Sequence, residues 1–140
     1  FIEESIKKYF EVVIKPKHKV EPYITQSWLN YTKEREFHHS HQHPNSYISG
    51  VFYVQADREK DKIHFSKSKY SQIKVMSDNY DEWNSESWWF SVGTGDLLIF
   101  PSYLTHLVES VKGSTRISLS FNTFLKGYIG EDVELTGLHL

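Results

Sequence analysis

The segment Gly93-Thr94-Gly95-Asp96-Leu97-Leu98-Ile99-Phe100 decides the fold class of this chain. Its first half combines glycine with small polar residues, as tight turns do. Its second half is an unbroken apolar run, which is typical of a short strand buried inside a β-structure. The segment therefore predicts a turn that leads directly into a buried strand.

Short runs rich in aromatic and β-branched residues extend in both directions from this strand. Turn residues separate them at intervals that are typical of antiparallel sheets. We predict eight strands, at residues 23–31, 47–55, 62–65, 71–75, 87–92, 97–100, 107–110 and 116–123. This number of short strands favours a mainly β fold, either a sandwich or a barrel.

The first part of the chain differs, because its apolar residues recur at helical spacing. The apolar face consists of Ile2, Ile6, Tyr9, Phe10 and Val13. We predict one short amphipathic helix at residues 2–13, which ends before Pro16 because proline interrupts a helix.

Two segments are expected to lie away from the core. Residues 74–86 show no alternation and are rich in Asp and Asn. They predict a loop that covers the functional site. The tail after Phe124 contains three glycines and is expected to be peripheral.

Composition limits the classes of function. The 140 residues, 39% of them hydrophobic, fit a single domain spanning 1–140 with a real core. The net charge is only −2 and the basic residues form no block, so nothing indicates nucleic-acid binding. The chain has no cysteine, so a metal ion must be held by His, Asp or Glu.

The sequence also suggests where the protein acts. No apolar run is long enough to span a bilayer, and the charged N-terminal stretch does not resemble a signal peptide. We therefore expect a soluble cytoplasmic protein. The chain begins at Phe1 rather than Met, as expected of a piece of a longer protein.

A group of histidines forms the first candidate site. His41 and His43 are two residues apart, so on a strand both would point to one face and meet at one metal ion. His39 lies on the same face, which leaves open which two of these histidines form the pair. His106 would add a third imidazole from a distant strand. The alternative is that these histidines are exposed or hydrogen-bonded without a metal.

The second candidate site begins at Arg116. In the run that follows, Arg116, Ser118 and Ser120 alternate with apolar residues and would share one face of a strand. A guanidinium beside hydroxyl groups suits a buried carboxylate, although a solvated face is the alternative. A predicted hairpin at 112–114 would place the His106 strand directly beside the Arg116 strand.

Three blocks in this order carry a resemblance to a known superfamily. They are His41-Gln42-His43-Pro44-Asn45-Ser46-Tyr47-Ile48-Ser49-Gly50-Val51-Phe52-Tyr53, Gly95-Asp96-Leu97-Leu98-Ile99-Phe100-Pro101-Ser102-Tyr103-Leu104-Thr105-His106, and Arg116-Ile117-Ser118-Leu119-Ser120-Phe121-Asn122. Together they resemble the Fe(II)/2-oxoglutarate-dependent dioxygenases. More narrowly, they are similar to a group of mostly uncharacterised members with the patterns HxHPN-x3-SGVxY, GDLLxFPSxLxH and RISxSFN.

The resemblance implies a double-stranded β-helix, also called a jelly roll, of the cupin-like kind. It implies that His41, His43 and His106 hold Fe(II), with His43 where the superfamily usually has Asp or Glu. It also implies that Arg116 and Ser118 bind the distal carboxylate of 2-oxoglutarate. The residues implied to assist them are Tyr53, Asn45 and Ser49.

The implied activity is oxidation of a substrate, in the simplest case hydroxylation, coupled to decarboxylation of 2-oxoglutarate to succinate. The expected substrate is a small molecule or a peptide, and a homodimer is compatible with the unpaired edges of a small sandwich. Three neutral imidazoles leave the ferrous site more positive than the usual triad does. Alternatively, His43 lies off the metal, which leaves an open position or brings in an outside ligand such as Asp57.

Two other functions remain compatible with these residues. The first is a three-histidine dioxygenase or hydrolase that does not use 2-oxoglutarate, in which Arg116 binds the carboxylate of the substrate itself. The second is a non-catalytic jelly-roll module that binds a sugar or small acid on Trp83, Trp88 and Trp89. For these tryptophans, a place in the core between the sheets is the favoured interpretation.

Overall fold

The computed structural model describes residues 1–67 and 75–140, in which nine strands follow a helical N-terminal segment. The strands are β1 (Val20–Thr32), β2 (His38–His41), β3 (Ile48–Gln55), β4 (Lys62–Ser66), β5 (Ser87–Ser91), β6 (Leu97–Pro101), β7 (Thr105–Val108), β8 (Arg116–Ile129) and β9 (Leu138–His139). The predicted mainly β class is therefore confirmed. The strand expected at 71–75 falls almost entirely outside the described residues.

The strands form two antiparallel sheets. One has the order β1-β8-β3-β6, with β9 added to the far end of β8, and the other has the order β2-β7-β4-β5. The main core lies between them and consists of Val51, Tyr53, Ile63, Phe65, Val92 and Phe100. From β1 to β8 the chain crosses between the two sheets at every connection except the one from β4 to β5, and the two facing sheets form the jelly roll that the sequence resemblance implies.

The N-terminal segment begins as the predicted helix and then changes its winding. Helix α1 (Ile2–Tyr9) continues into a π-helical turn at Phe10–Ile14, which Lys15 closes in a left-handed conformation. Because a π turn closes after five residues instead of four, the apolar face shifts by one position. Val13 is consequently 56% exposed, contrary to the predicted face, and Ile14 packs against the core instead.

The hairpin predicted at 112–114 is wrong. Strand β7 pairs on both sides with strands of its own sheet, β2 and β4, so neither edge is open to β8. The chain between β7 and β8 instead crosses from one sheet to the other. His106 and Arg116 therefore face each other across the sandwich rather than lying side by side in one sheet.

The segment after Phe124 is not peripheral at its start. Strand β8 continues to Ile129, and Leu125 is buried in a second apolar cluster with Phe10 and Ile48. The length of β8 follows from its long partner β1, which pairs with it from Val20 to Thr32.

The predicted loop at 74–86 is irregular over its described residues, 75–86. These residues are not among those that line the cavity with the histidines. Glu82, Ser85 and Glu86 line a groove between β5 and β6 instead. Among the described residues, no helix is long and apolar enough to cross a membrane.

Replacing Gly50 by alanine is expected to destabilise the fold by at least about 1–3 kcal/mol, because the core has no room for the added methyl group. A Cβ at this position would overlap the ring of Phe121 and lie 2.8 Å from the carbonyl oxygen of Leu98. Urea unfolding of the two proteins measures the difference. Gly93→Ala is the matched control, since its Cβ would meet the flexible Arg58 side chain at 3.1 Å. Equal losses in both variants would contradict this packing explanation.

Candidate metal and acid site

Two of the predicted metal ligands lie directly opposite each other on neighbouring strands. Strand β2 pairs with β7, and His41 is the register partner of His106. Side chains in such a pair leave the same face only about 5 Å apart. The two imidazole rings have their centroids 4.4 Å apart, and His106 is buried. The pairing of two sheet strands thus brings together histidines that are far apart in sequence.

His43 joins this pair from outside the strand. Strand β2 ends at His41, so the alternation expected for a strand does not position His43. Its backbone N–H donates to the carbonyl of Ser102 at 3.1 Å, and this hydrogen bond ties the segment after β2 to the turn between β6 and β7. One nitrogen from each of His41, His43 and His106 lies within 4.8 Å of the others. The structure therefore groups His41 with His43 rather than with His39.

Hydrogen bonds to backbone carbonyls set the tautomers of two of these rings. His41 Nδ1 lies 2.7 Å from the carbonyl oxygen of His39, and His106 Nδ1 lies 2.9 Å from that of Leu104. A carbonyl oxygen only accepts, so both Nδ1 atoms carry the proton and each Nε2 atom has a lone pair instead of a proton. Backbone carbonyls that orient histidines in this way are typical of metal sites.

The environment favours the neutral form of His43 and His106. Burial, together with the neighbouring His106 and His41, lowers the pKa of His43 to about 4. Burial also lowers the pKa of His106, partly opposed by its hydrogen bond to Leu104. Neutral imidazole is the form that binds metal. Three such nitrogens suit iron and other transition metals.

A buried polar network holds the turn that carries His43. Ser102 Oγ lies 2.7 Å from Ser46 Oγ and 2.8 Å from Ser49 Oγ, and Ser49 donates to Asn122 Oδ1 at 2.8 Å. The expectation that Ser49 lines the ligand pocket is therefore wrong, because its side chain is 1% exposed and fully engaged inside the network. The network joins all three sequence blocks at one point.

Arg116 lies on the opposite sheet with its guanidinium buried. Its Nη1 donates to Asp61 Oδ1 at 3.0 Å and to the carbonyl oxygen of Glu109 at 3.3 Å. Its Nη2 has no hydrogen-bond partner among the described residues. Asp61 is buried as well and accepts a hydrogen bond from the N–H of Asp57. Sequence reasoning missed Asp61, since a lone aspartate after a turn gives no signal of a buried partner.

The hydroxyl of Tyr53 is a second buried group for which the described residues offer no partner. Tyr53 is 1% exposed and lies opposite Ser118 in the pairing of β3 with β8. Burial raises the pKa of its phenol, so the hydroxyl stays protonated and remains a donor. An unsatisfied buried donor costs about 1–3 kcal/mol, so two of them at one place point to a ligand that accepts from both.

One narrow cavity is lined by the three histidines and by the two buried donors without partners. Its lining includes Tyr53, His41, His43, His106, Arg116, Ser118 and Ser120. The shared face predicted for Arg116, Ser118 and Ser120 therefore does line the candidate site. The cavity volume is about 60 Å³, room for roughly two water molecules at about 30 Å³ each, and hence for a carboxylate group.

Other candidate residues lie elsewhere. Asn45 is exposed at a turn with φ 55°, and it lines a neighbouring cavity rather than the one with Arg116. Asp57, the alternative ligand, pairs with Lys60 at 2.9 Å and is not one of the clustered donors.

The placement of the tryptophans in the core is wrong for Trp83 and Trp89, which are 82% and 46% exposed. Trp89 is exposed because it pairs with His64 on the outer face of the sheet, whereas Ile63 and Phe65 point into the core.

Residues 26–122 match the protein family described as "Putative 2OG-Fe(II) oxygenase". The matched segment is more than half of the chain. The chain belongs to this family. All three sequence blocks that carry the site fall within the matched residues. A search of the curated proteins finds no match.

The fold is also similar to a crystal structure of an oxidoreductase of the 2OG-Fe(II) oxygenase family from Burkholderia pseudomallei. The TM-score is 0.60 and the sequence identity is 14%, over 83% of this chain and 50% of that one. At this identity the likeness shows the jelly-roll fold. The chain spans about half the length of that oxygenase.

Proposed function

We propose that this protein is an Fe(II)- and 2-oxoglutarate-dependent dioxygenase that hydroxylates a small molecule or peptide. One observation carries the proposal. Two buried donors that have no partner among the described residues, Arg116 Nη2 and Tyr53 Oη, line the same cavity as three converging histidines. A molecule that binds a metal at one end and offers a carboxylate at the other satisfies both sets of groups.

Each residue has a distinct part in this function. His41, His43 and His106 would hold the iron, which together with 2-oxoglutarate supplies the oxidising chemistry and yields succinate. Arg116 Nη2 and the Tyr53 hydroxyl would donate to the distal carboxylate, with Ser118 beside them. The apolar walls Val51, Ile63 and Phe100 keep water away from these groups.

The charges of the site support a dianion as the co-substrate. Imidazole binds a metal in its neutral form, so three histidine ligands would leave a bound Fe(II) with both of its positive charges. The Arg116–Asp61 pair contributes no net charge. The two carboxylates of 2-oxoglutarate balance the charge of the metal, which favours binding in a buried site.

The proposal is tested by supplying Fe(II), 2-oxoglutarate and oxygen. We expect calorimetry to show that 2-oxoglutarate binds the Mn(II)-loaded protein, and chromatography to show that succinate forms with Fe(II). Glutarate, which lacks the keto group, is the matched control ligand and is expected to bind more weakly. Absence of metal-dependent binding of 2-oxoglutarate would refute the proposal.

A three-histidine dioxygenase or hydrolase that does not use 2-oxoglutarate is the second candidate. The observation that favours it is the donor set itself, since the clustered groups found among the described residues include no carboxylate. In that case Arg116 and Tyr53 would bind a carboxylate of the substrate. Metal binding without any effect of the metal on the affinity for 2-oxoglutarate would favour this candidate.

Replacing Tyr53 by phenylalanine is expected to raise the KM for 2-oxoglutarate about tenfold, the loss of one buried hydrogen bond to a charged group. The same change is expected to leave the ligand-free fold as stable as before or more stable, because the lost hydroxyl has no partner among the described residues. Steady-state kinetics and thermal unfolding measure the two effects. Tyr31→Phe, at a tyrosine that is 63% exposed and does not line the cavity with Arg116, is the control. A large loss of stability in Tyr53→Phe would contradict the assignment of an unsatisfied hydroxyl.

A further inference from the structure

A second and larger cavity borders the histidine cluster at His43. Its volume is about 630 Å³, within the range of about 300–1,000 Å³ that is usual for small-molecule sites. His43 lines both this cavity and the narrow one that holds Arg116. A molecule in the larger cavity therefore touches a residue that we assign to the metal.

The lining of this larger cavity is uncharged. Besides His43, its polar members include Gln42, Asn45 and Ser46, none of which carries a charge. The described residues that line it include no Lys, Arg, Asp or Glu. A charged ligand would find no oppositely charged side chain in this lining, so the cavity favours neutral groups.

Aromatic side chains surround the opening. Tyr9, Tyr47 and Tyr103 all line the cavity, and Tyr47 and Tyr103 are 42% and 74% exposed. Exposed tyrosines around a concave surface are typical of ligand sites, because the ring packs on apolar groups while the hydroxyl stays in water.

One wall comes from the N-terminal segment, outside the residues that match the family. Tyr9 and Ile14 are five residues apart, and the π turn at Phe10–Ile14 brings both to the cavity side. The family match begins at residue 26. This wall is therefore supplied by a segment that the family match does not include.

We propose that this cavity is the substrate site and that it takes a neutral small molecule whose bound part is an aromatic or aliphatic ring. Tyr9 and Ile14 are specificity-determining residues in this proposal. The inference rests on the proposed function, because it places the substrate beside a metal-bound His43. It goes further by excluding charged substrates.

The chemistry of the cavity is tested with two fluorescent probes that differ in charge. N-phenyl-1-naphthylamine is neutral, and 8-anilinonaphthalene-1-sulfonate has the same ring system with a sulfonate. We expect the full chain to bind the neutral probe at least about tenfold more tightly than the anionic one, because the lining offers no counter-charge. Equal binding of both probes would overturn the proposal.

The location is tested with a pair of arginine variants. Ile14→Arg introduces a charge into the cavity and is expected to weaken binding of the neutral probe at least about tenfold. Val13→Arg is the control, since Val13 is 56% exposed and does not line the cavity. Tyr103→Ala is a second variant at a largely exposed position that tolerates change, and it is also expected to weaken binding. Retained binding in both Ile14→Arg and Tyr103→Ala would overturn the proposal.

The position next to the metal is tested by proton NMR of indole, a neutral ring compound. We expect Mn(II) to broaden the indole lines with the wild-type protein and with Val13→Arg, and to broaden them far less with Ile14→Arg. If Mn(II) binds and the lines stay equally sharp in all three proteins, the cavity is not the substrate site. If the protein binds no Mn(II) although the neutral probe still binds in the cavity, the proposed oxygenase function fails, and with it the assignment of the cavity as a substrate site.

Discussion

Replacement of His106 by alanine is expected to lower the affinity for Fe(II) by at least about 100-fold and to abolish succinate formation. Loss of a mere supporting hydrogen bond at a metal site already costs about 10–100-fold in affinity, so loss of a ligand costs more. His106 is the central member of the cluster, since it pairs with His41 across the strands and lies 3.2 Å from His43 between Nε2 atoms. Titration with Fe(II) under anaerobic conditions measures the affinity.

His39→Ala is the matched control for this variant. His39 is exposed, and its backbone carbonyl, which alanine retains, accepts from His41 Nδ1. Its ring packs beside that of His41 at 5.3 Å but is not one of the clustered donors. We expect this variant to keep the wild-type metal affinity. His43→Ala is expected to weaken metal binding as well, because its nitrogen belongs to the cluster. Wild-type metal affinity in His43→Ala would show that two histidines and an external ligand hold the metal.

Replacement of Arg116 by methionine is expected to have two large effects. It removes the donor proposed for the distal carboxylate. The binding free energy of 2-oxoglutarate is therefore expected to weaken by about 2 kcal/mol or more, which is the contribution of a hydrogen bond to a charged group. It also leaves Asp61 as a buried carboxylate without its partner, which costs about 3–5 kcal/mol of folding stability. Calorimetry and urea unfolding measure these effects.

A double variant separates the two effects. Arg116→Met combined with Asp61→Asn removes both charges, and the side-chain amide introduced by the second substitution still offers an oxygen to the N–H of Asp57. We expect most of the stability to return, because burying a neutral pair is far less costly than burying a lone charge. The affinity for 2-oxoglutarate is expected to stay low. Recovery of acid binding in the double variant would contradict the role of Arg116, and metal affinity is expected to be unchanged throughout.

Local patterns predicted much of the fold. Alternating and apolar runs located seven of the nine described strands, from β1 to β8 with the exception of β2, because side-chain burial on a strand depends on neighbours in the sequence. They missed β2 (His38–His41), which has no apolar residue, and β9 (Leu138–His139), which has two residues. Both segments are strands because they pair with a neighbouring strand, β2 with β7 and β9 with β8, and not because of a pattern in their own residues.

The candidate site was predicted less completely than the fold. The pattern HxH and the alternation after Arg116 indicated the residue types, and the structure brings His41, His43 and His106 together. The partner of Arg116, however, is Asp61, which lies 55 positions away along the chain. Such a pair is formed only when two strands meet across the sandwich.

By itself, then, the sequence determined the fold class, the family and the chemical types of the site residues, because these depend on local patterns and on ordered blocks. Only the tertiary structure decided that His106 and Arg116 face each other from different sheets, and that Asp61 neutralises the arginine. It also decided that two donors, on Arg116 and Tyr53, stay without partners among the described residues. The physical reason is that pairing of buried charges and hydrogen-bond groups depends on distances across the core, which no local sequence pattern records.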